Sequence, residues 1–96
     1  QAFALERFSE KILVFPNPST GPLTLEYQGS GSVKGIVQLY DLVGNLRYEA
    51  NWDDLSNESF VPNRRILNPV LPTGMYIIRV NNQGHWMEQK VFLTSN

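Results

Sequence analysis

The sequence GMYIIRV at residues 74–80 is the strongest strand signal in this 96-residue chain. Tyr76, Ile78 and Val80 alternate with other residues, and apolar positions that recur every two residues are typical of a half-buried β-strand. The next four residues, NNQG at 81–84, predict a hairpin turn because Asn and Gly tolerate positive φ. The sequence from 87 to 93 then predicts the returning strand.

The same two-residue period recurs towards the amino terminus, in stretches separated by turn residues. Further strands are predicted at 12–14, 23–27, 36–40, 46–50 and 66–67, and DLVGN at 41–45 predicts a tight hairpin connection. In the polar stretch 51–63, Trp52, Leu55 and Phe60 are expected to enter the core. These features together predict an all-β fold, an Ig-like antiparallel β-sandwich of about seven strands.

Composition excludes several classes of function. Eight Lys and Arg against nine Asp and Glu give a net charge of −1, which provides no basic surface for nucleic acid or anionic lipid. No apolar run approaches the roughly 20 residues of a membrane-spanning helix, so membrane insertion is not expected. The chain has no cysteine, which excludes disulfides, cysteine-ligated metals and thiol catalysis.

Signals for catalysis or metal binding are weak. His85 is the single histidine and stands beside the predicted Gly84 turn, and no serine lies in a nucleophile elbow. The acidic residues Asp53, Asp54 and Glu58 lack the ligand spacing of a calcium loop. The tripeptide NES at 57–59 matches the N-glycosylation pattern, a short motif that often occurs by chance. We therefore expect no catalytic residue, no metal ligand and no bound cofactor.

Two alternative functions stay open at this level. Trp52 and Trp86 could stack on sugar rings, which would make the chain a carbohydrate-binding module. Tyr27 and Tyr76 stand at strand-period positions, where aromatic side chains usually pack in a core or across strands. The other alternative is an Ig-like spacer with a structural role alone.

The residues of the predicted turns have side chains or backbones that suit specific roles in a turn. Pro16 and Pro18 fix φ and remove two N–H donors, so the first strand is expected to end there. The side-chain amide of Asn17 is expected to bond nearby turn backbone. Asp41 stands where its carboxylate can accept N–H groups of the turn, and Gly44 is expected to supply positive φ.

The second half of the chain adds three such expectations. Gly74 is expected to act through its backbone, by allowing a bend and positive φ. The hydroxyl of Tyr76 is expected to reach a backbone group from a buried ring. The closing strand is expected to pair with 74–80 and to offer an edge to which a receptor could add a strand.

Four segments, in this order, resemble one known family. They are VFPNPSTG at 14–21, LYDLVG at 39–44, LPTGMY at 71–76 and KVFL at 90–93. Together they are similar to the C-terminal sorting domain, type A, of proteins exported by the type IX (Por) secretion system, and the likeness covers nearly everything from Lys11 onward. The chain departs from the family in a longer 50–66 connection and in Asn68, where aspartate is common. The residues that carry the resemblance are Pro16, Asn17, Pro18, Gly21, Tyr40, Asp41, Gly44, Leu71, Gly74, Tyr76 and Lys90.

The resemblance implies a delivery role in a bacterium of the Bacteroidota. Such a domain follows an N-terminal cargo, passes through the periplasm and is recognised by the type IX machinery at the outer membrane. A sortase-like cysteine protease usually removes it at the cell surface, and the cargo stays there or is released. The expected recognition strand consists of Lys90, Val91, Phe92 and Leu93.

The expected organisation is a sorting domain over residues 11–96, preceded by a linker or extra edge strand at 1–10. Because the sequence begins with Gln1 and not Met, we expect it to be a piece of a longer protein.

Overall fold

The computed structural model describes residues 10–57 and 61–94, which form seven β-strands and one 3-10 turn. The elements are β1 (Lys11–Phe15), β2 (Leu23–Gln28), β3 (Ile36–Asp41), β4 (Leu46–Asn51), the 3-10 turn (Trp52–Asp54), β5 (Arg64–Leu67), β6 (Gly74–Asn82) and β7 (His85–Leu93). The predictions for Phe60, Glu58, the 57–59 tripeptide and most of the 1–10 segment fall wholly or partly outside the described residues.

The strands form two antiparallel sheets, one of three strands in the order β1-β2-β5 and one of four in the order β4-β3-β6-β7. The longest pairing joins β6 to β7, from Gly74 opposite Leu93 to Asn82 opposite His85. The predicted all-β antiparallel sandwich is confirmed. Since β6 lies between β3 and β7, the strand with the strongest sequence signal is also central in the larger sheet.

The core lies between the sheets and is filled by alternate residues of each strand. In β2 the buried positions are Leu23, Leu25 and Tyr27, and the intervening residues are half-buried. Burial of a large apolar side chain stabilises the fold by about 1.5–3 kcal/mol, so this alternation supplies most of the driving force. The buried hydrophobic residues are Ile12, Leu23, Leu25, Tyr27, Val33, Val37, Leu39, Trp52, Leu67, Tyr76, Ile78, Val80, Met87, Val91 and Leu93.

The hairpin between β6 and β7 is tighter than the sequence predicted. The expected turn began at Asn81, but β6 continues to Asn82 and only Gln83 and Gly84 connect the strands. Both have positive φ, 52° and 90°, as a two-residue hairpin loop of this kind requires. Asn82 is buried and its Oδ1 accepts the Lys34 N–H at 2.9 Å, so a residue typical of turns serves here as a core hydrogen-bonding group.

The two glycines expected to have positive φ behave differently. Gly44 has φ of 91°, which confirms its place in the β3–β4 hairpin. Gly74 is not among the described glycines with positive φ, and it starts β6 as an ordinary extended residue. A Cβ built on Gly74 would lie 3.8 Å from the Tyr76 ring, which is normal van der Waals contact. The expectation of a backbone bend at Gly74 is therefore wrong.

Candidate functional site

The strand directions bring all four family-like segments to one end of the sandwich. The pairings at this end are Phe15 with Thr24, Leu23 with Leu67, Asp41 with Tyr76 and Gly74 with Leu93. We call it the motif end and define it as residues 15–23, 40–47, 67–76 and 90–94. At the opposite end, Lys11 begins β1 and pairs with Gln28.

Asn17 joins the proline-rich loop to the closing strand. Its Oδ1 accepts the Phe92 N–H at 2.9 Å, and its Nδ2 donates to the Lys90 carbonyl at 3.3 Å. The side-chain amide therefore bonds β7 as the peptide group of a neighbouring strand would. The expectation that it bonds nearby turn backbone is wrong, because its partners are 73 and 75 residues away. Pro16 and Pro18 flank it, each with a cis peptide bond before it.

Ser19 extends the contact between the loop and β7. Its N–H donates to the Phe92 carbonyl at 2.9 Å, and its carbonyl accepts the Thr94 N–H at 2.8 Å, in a short parallel bridge. Its buried hydroxyl donates to the Pro22 carbonyl at 2.8 Å and accepts the Gly21 N–H at 3.1 Å. No sequence pattern singled out Ser19, since its partners Phe92 and Thr94 are more than 70 residues distant.

These bonds change the interpretation of the closing strand. Its outer edge over 90–94 is covered by the chain's own residues 17–19, so that part of the edge does not accept a receptor strand as expected. Val91 and Leu93 are buried in the core, whereas Lys90 is exposed and Phe92 is half-buried. Of the expected recognition strand, therefore, only Lys90 and Phe92 present side chains outside the core.

We predict a measurable stability effect for the Asn17 contact. Asn17→Ala removes both bonds to β7 and is expected to lower the free energy of unfolding by about 1–2 kcal/mol, since each net hydrogen bond contributes about 1 kcal/mol. Urea denaturation followed by tryptophan fluorescence measures this. The matched control is Asn63→Ala, which removes a single exposed bond of 3.4 Å to the Gly31 carbonyl. Equal midpoints for the two variants would contradict the bridging role of Asn17.

Asp41 organises the hairpin between β3 and β4. Its Oδ1 accepts the N–H groups of Val43 at 3.1 Å and Asn45 at 2.9 Å, and Arg47 lies 3.3 Å from its Oδ2. The sequence-based expectation that this carboxylate accepts turn N–H groups is confirmed. The Asn45 N–H is the largest of the effects that lower the pKa of Asp41. The Asn45 side chain, Arg47 and the Val43 N–H lower it further, and partial desolvation opposes them.

The lowered pKa of Asp41 predicts how the hairpin responds to acid. The bonds to the ionised carboxylate stabilise the fold fully above the unfolded-state pKa of about 3.9, and this contribution is lost as pH falls through the lower pKa of the folded state. Carboxyl NMR titration should give a midpoint for Asp41 below the ordinary value. In Arg47→Ala the midpoint should rise without reaching that value, because the backbone bonds remain. A wild-type midpoint at or above the ordinary value would contradict the geometry.

The loop before β6 is fixed from within. The Tyr76 hydroxyl donates to the Pro72 carbonyl at 2.7 Å from a buried ring, as the sequence predicted. Leu71 packs against the core, while its neighbour Val70 is 95% exposed. Residues 68–71 line a shallow depression together with Thr20, Gly21, Leu93 and Thr94. The loop therefore belongs to the motif end through both packing and hydrogen bonds.

The other described sequence candidates, His85, Asp53 and Asp54, lie on the surface of the domain. His85 is exposed at the start of β7, with Nε2 3.6 Å from Glu10 Oε1. Asp53 and Asp54 are exposed, and within residues 10–57 and 61–94 no three His, Cys, Asp or Glu side chains are placed to hold a metal ion. In the same part of the chain, no helix has the length and apolarity needed to cross a membrane.

Few of the aromatic rings that could stack on a sugar have an exposed face. Trp52 is only 2% exposed, and Tyr27 and Tyr76 are also buried, which confirms the prediction that these tyrosines pack in the core. Trp86 is 39% exposed, but the guanidinium of Arg79 lies 4.2 Å from its ring centroid and covers one face. Of the two tryptophans proposed for sugar stacking, Trp52 is therefore buried and Trp86 has one face covered.

Comparison with known proteins identifies a family whose match includes all four segments of the motif end. A family model described as the secretion system C-terminal sorting domain matches residues 13–94. No curated protein matches the chain. Among solved structures, the crystal structure of dimeric latent PorU from Porphyromonas gingivalis is similar over 99% of this chain and 10% of that chain, with a TM-score of 0.57 and 17% sequence identity. A likeness at that identity shows a shared fold.

Proposed function

Given that the chain belongs to the family of secretion system C-terminal sorting domains, we propose that it directs an attached N-terminal cargo across the outer membrane through the type IX machinery. The cargo passes through the periplasm and arrives at the cell surface or in the medium. A sortase-like cysteine protease of the same system then removes the domain. In this proposal residues 11–96 are the sorting domain, and residues 1–10 join it to the cargo as a linker or an extra edge strand.

The observation that carries this proposal is the separation of the two ends. The four family-like segments lie together at the motif end, whereas the chain enters β1 through Lys11 at the opposite end. The described part of the chain therefore starts, on the side of the cargo, away from the motif end. This geometry leaves the motif end accessible while the cargo is attached, as a signal read by a separate protein requires.

In this proposal the domain is a substrate and not a catalyst. Sorting domains of this family are not themselves catalytic. The side chains that carry the family resemblance bond backbone groups: Asn17 bonds β7, Asp41 bonds its own turn and Tyr76 bonds Pro72. They build the surface that the machinery reads, and the absence of cysteine prevents premature crosslinking of the domain during export.

A transplanted reporter tests the proposal. Residues 1–96 are fused behind a monomeric fluorescent protein that an N-terminal signal delivers to the periplasm of a type IX-competent strain. We expect fluorescence on the cell surface or in the medium, and none there in an isogenic strain without the translocon. The mass of the released reporter shows whether the domain has been removed. Retention in the periplasm of the competent strain would favour a structural spacer instead.

A further inference from the structure

Exposed apolar side chains are concentrated at the motif end. Eight large hydrophobic residues are exposed within the described part of the chain, and all but Val61 and Trp86 lie at this end. Phe15 and Met75 lie on the outer faces of different sheets, and the Arg64 guanidinium lies 5.7 Å from the Phe15 ring centroid. We call the other four residues the apolar rim: Leu42, Val43, Leu46 and Val70. Soluble monomers rarely keep exposed apolar groups together on one surface, and such a concentration usually marks an interaction site.

The same end has few charges. Among the residues of the motif end only Asp41, Arg47 and Lys90 are charged. Asp41 and Arg47 form an ion pair of 3.3 Å, which leaves Lys90 as the one charge of this end without an ion pair among the described residues. The remaining charged residues lie along the body of the sandwich and at its opposite end. The surface therefore suits a partner that is itself poor in charge.

The most exposed rim residues are held in place by the fold. Val43, which is 81% exposed, stands on a turn fixed by the Asp41 carboxylate, which accepts the Val43 N–H. Val70 is 95% exposed, between Pro69, which is buried, and Leu71, which packs on the core. Because the backbone around these side chains is already ordered, a partner gains their burial without a large ordering cost.

We propose that the apolar rim is a docking surface for a protein of the secretion machinery. The side chains of Val43 and Val70 insert into an apolar and weakly charged concavity on that protein. This inference rests on the proposed function and names the part of the domain that the machinery contacts. Side chains as exposed as Val43 and Val70 protrude, and protruding apolar groups are complementary to a pocket. The protruding side chains fit poorly against the same surface of a second copy of this chain, because that surface protrudes as well.

The composition of the rim argues against a lipid surface as the occupant. Binding to a membrane surface usually combines apolar groups with several Lys or Arg side chains, and often with interfacial tryptophan. The motif end has Lys90 as its single unpaired cation, and both tryptophans lie outside the residues that define it. A protein pocket is therefore the occupant that the chemistry favours.

The test measures export of the reporter fusion with Val43→Asp and with Val70→Asp. A charge placed on a side chain that anchors an interface is expected to reduce export about tenfold or more. Val61→Asp is the matched control, since Val61 is 37% exposed but lies outside the motif end, and its export should be unchanged. Val43→Leu should also retain export, because it keeps the apolar anchor. Unfolding midpoints confirm that each variant folds, and the export of an aspartate variant is interpreted only where its midpoint matches that of the wild type.

The outcomes separate this inference from the proposed function. Normal export of stably folded Val43→Asp and Val70→Asp overturns the docking surface and leaves the sorting function standing. Failure of the wild-type fusion to leave the periplasm overturns both. Sedimentation with phosphatidylethanolamine and phosphatidylglycerol vesicles that Val43→Asp abolishes would assign the rim to lipid. Light scattering that shows a dimer of the wild type, dissociated by Val43→Asp, would assign it to self-association. Either result overturns the protein pocket.

Discussion

Deletion of residues 90–96 is expected to unfold the domain and to abolish export of an attached reporter. The deletion removes Val91 and Leu93, both buried in the core, and each such side chain stabilises the fold by about 1.5–3 kcal/mol. It also removes the pairing partners of the first half of β6 and the groups bonded by Asn17 and Ser19. The combined loss is comparable with the whole stability of a small domain, about 5–15 kcal/mol.

Far-UV circular dichroism during a thermal melt, together with the fraction of reporter outside the cell, measures this effect. Lys90→Ala is the control within the same segment, because an exposed lysine contributes little to folding. If Lys90→Ala folds normally yet stays in the periplasm, the lysine is part of the recognised surface. Export of the deletion variant at the wild-type level would exclude the closing strand from the signal.

Trp52→Ala is expected to be the most destabilising single substitution considered, at about 3–5 kcal/mol. Trp52 is 2% exposed within the core, and the guanidinium of Arg65 lies 5.3 Å from its ring centroid. Arg65 also donates to the Trp52 carbonyl at 3.2 Å. The cavity left by alanine cannot close without moving the short 3-10 turn and β5 together.

The control for this prediction is Trp86→Ala, which removes the same side chain from an exposed position. There the main loss is the contact with Arg79, worth about 0.5–1 kcal/mol at an exposed site. For a domain of this size each kcal/mol lowers Tm by about 4–8 °C, so the two variants should differ by about 10 °C or more. Similar melting temperatures would show that Trp52 is not a core residue.

Local patterns predicted most of the fold. Alternating apolar residues identified the strands, because every second side chain of a strand points to the same face and the buried face must be apolar. The Asp41–Gly44 turn was predictable for a similar reason, since its hydrogen bonds and positive φ are confined to adjacent residues. Trp52 was assigned to the core from its size and apolarity within a polar stretch, and the structure buries it.

The errors at Asn17 and Asn82 have a different cause, which is a partner distant in sequence. As a residue type, Asn82 favours a turn, but in the fold its side chain accepts a hydrogen bond from the Lys34 N–H. Asn17 likewise suits a local turn, and only the packing of the loop against β7 gives it Lys90 and Phe92 as partners. The apolar rim had no sequence signal, since its residues come from segments distant in sequence and an exposed valine has the same residue type as a buried one.

In the proposed function, the domain acts as a sorting signal only while the motif end is free. The most direct test compares one reporter placed before residue 1 with the same reporter placed after residue 96, each with the same flexible linker, in a type IX-competent strain. Thr94 lies at the motif end, so the second arrangement places the reporter beside the proposed docking surface. With equal folding stability for both fusions, we expect export of the first and retention of the second in the periplasm. Equal export of both would contradict the claim.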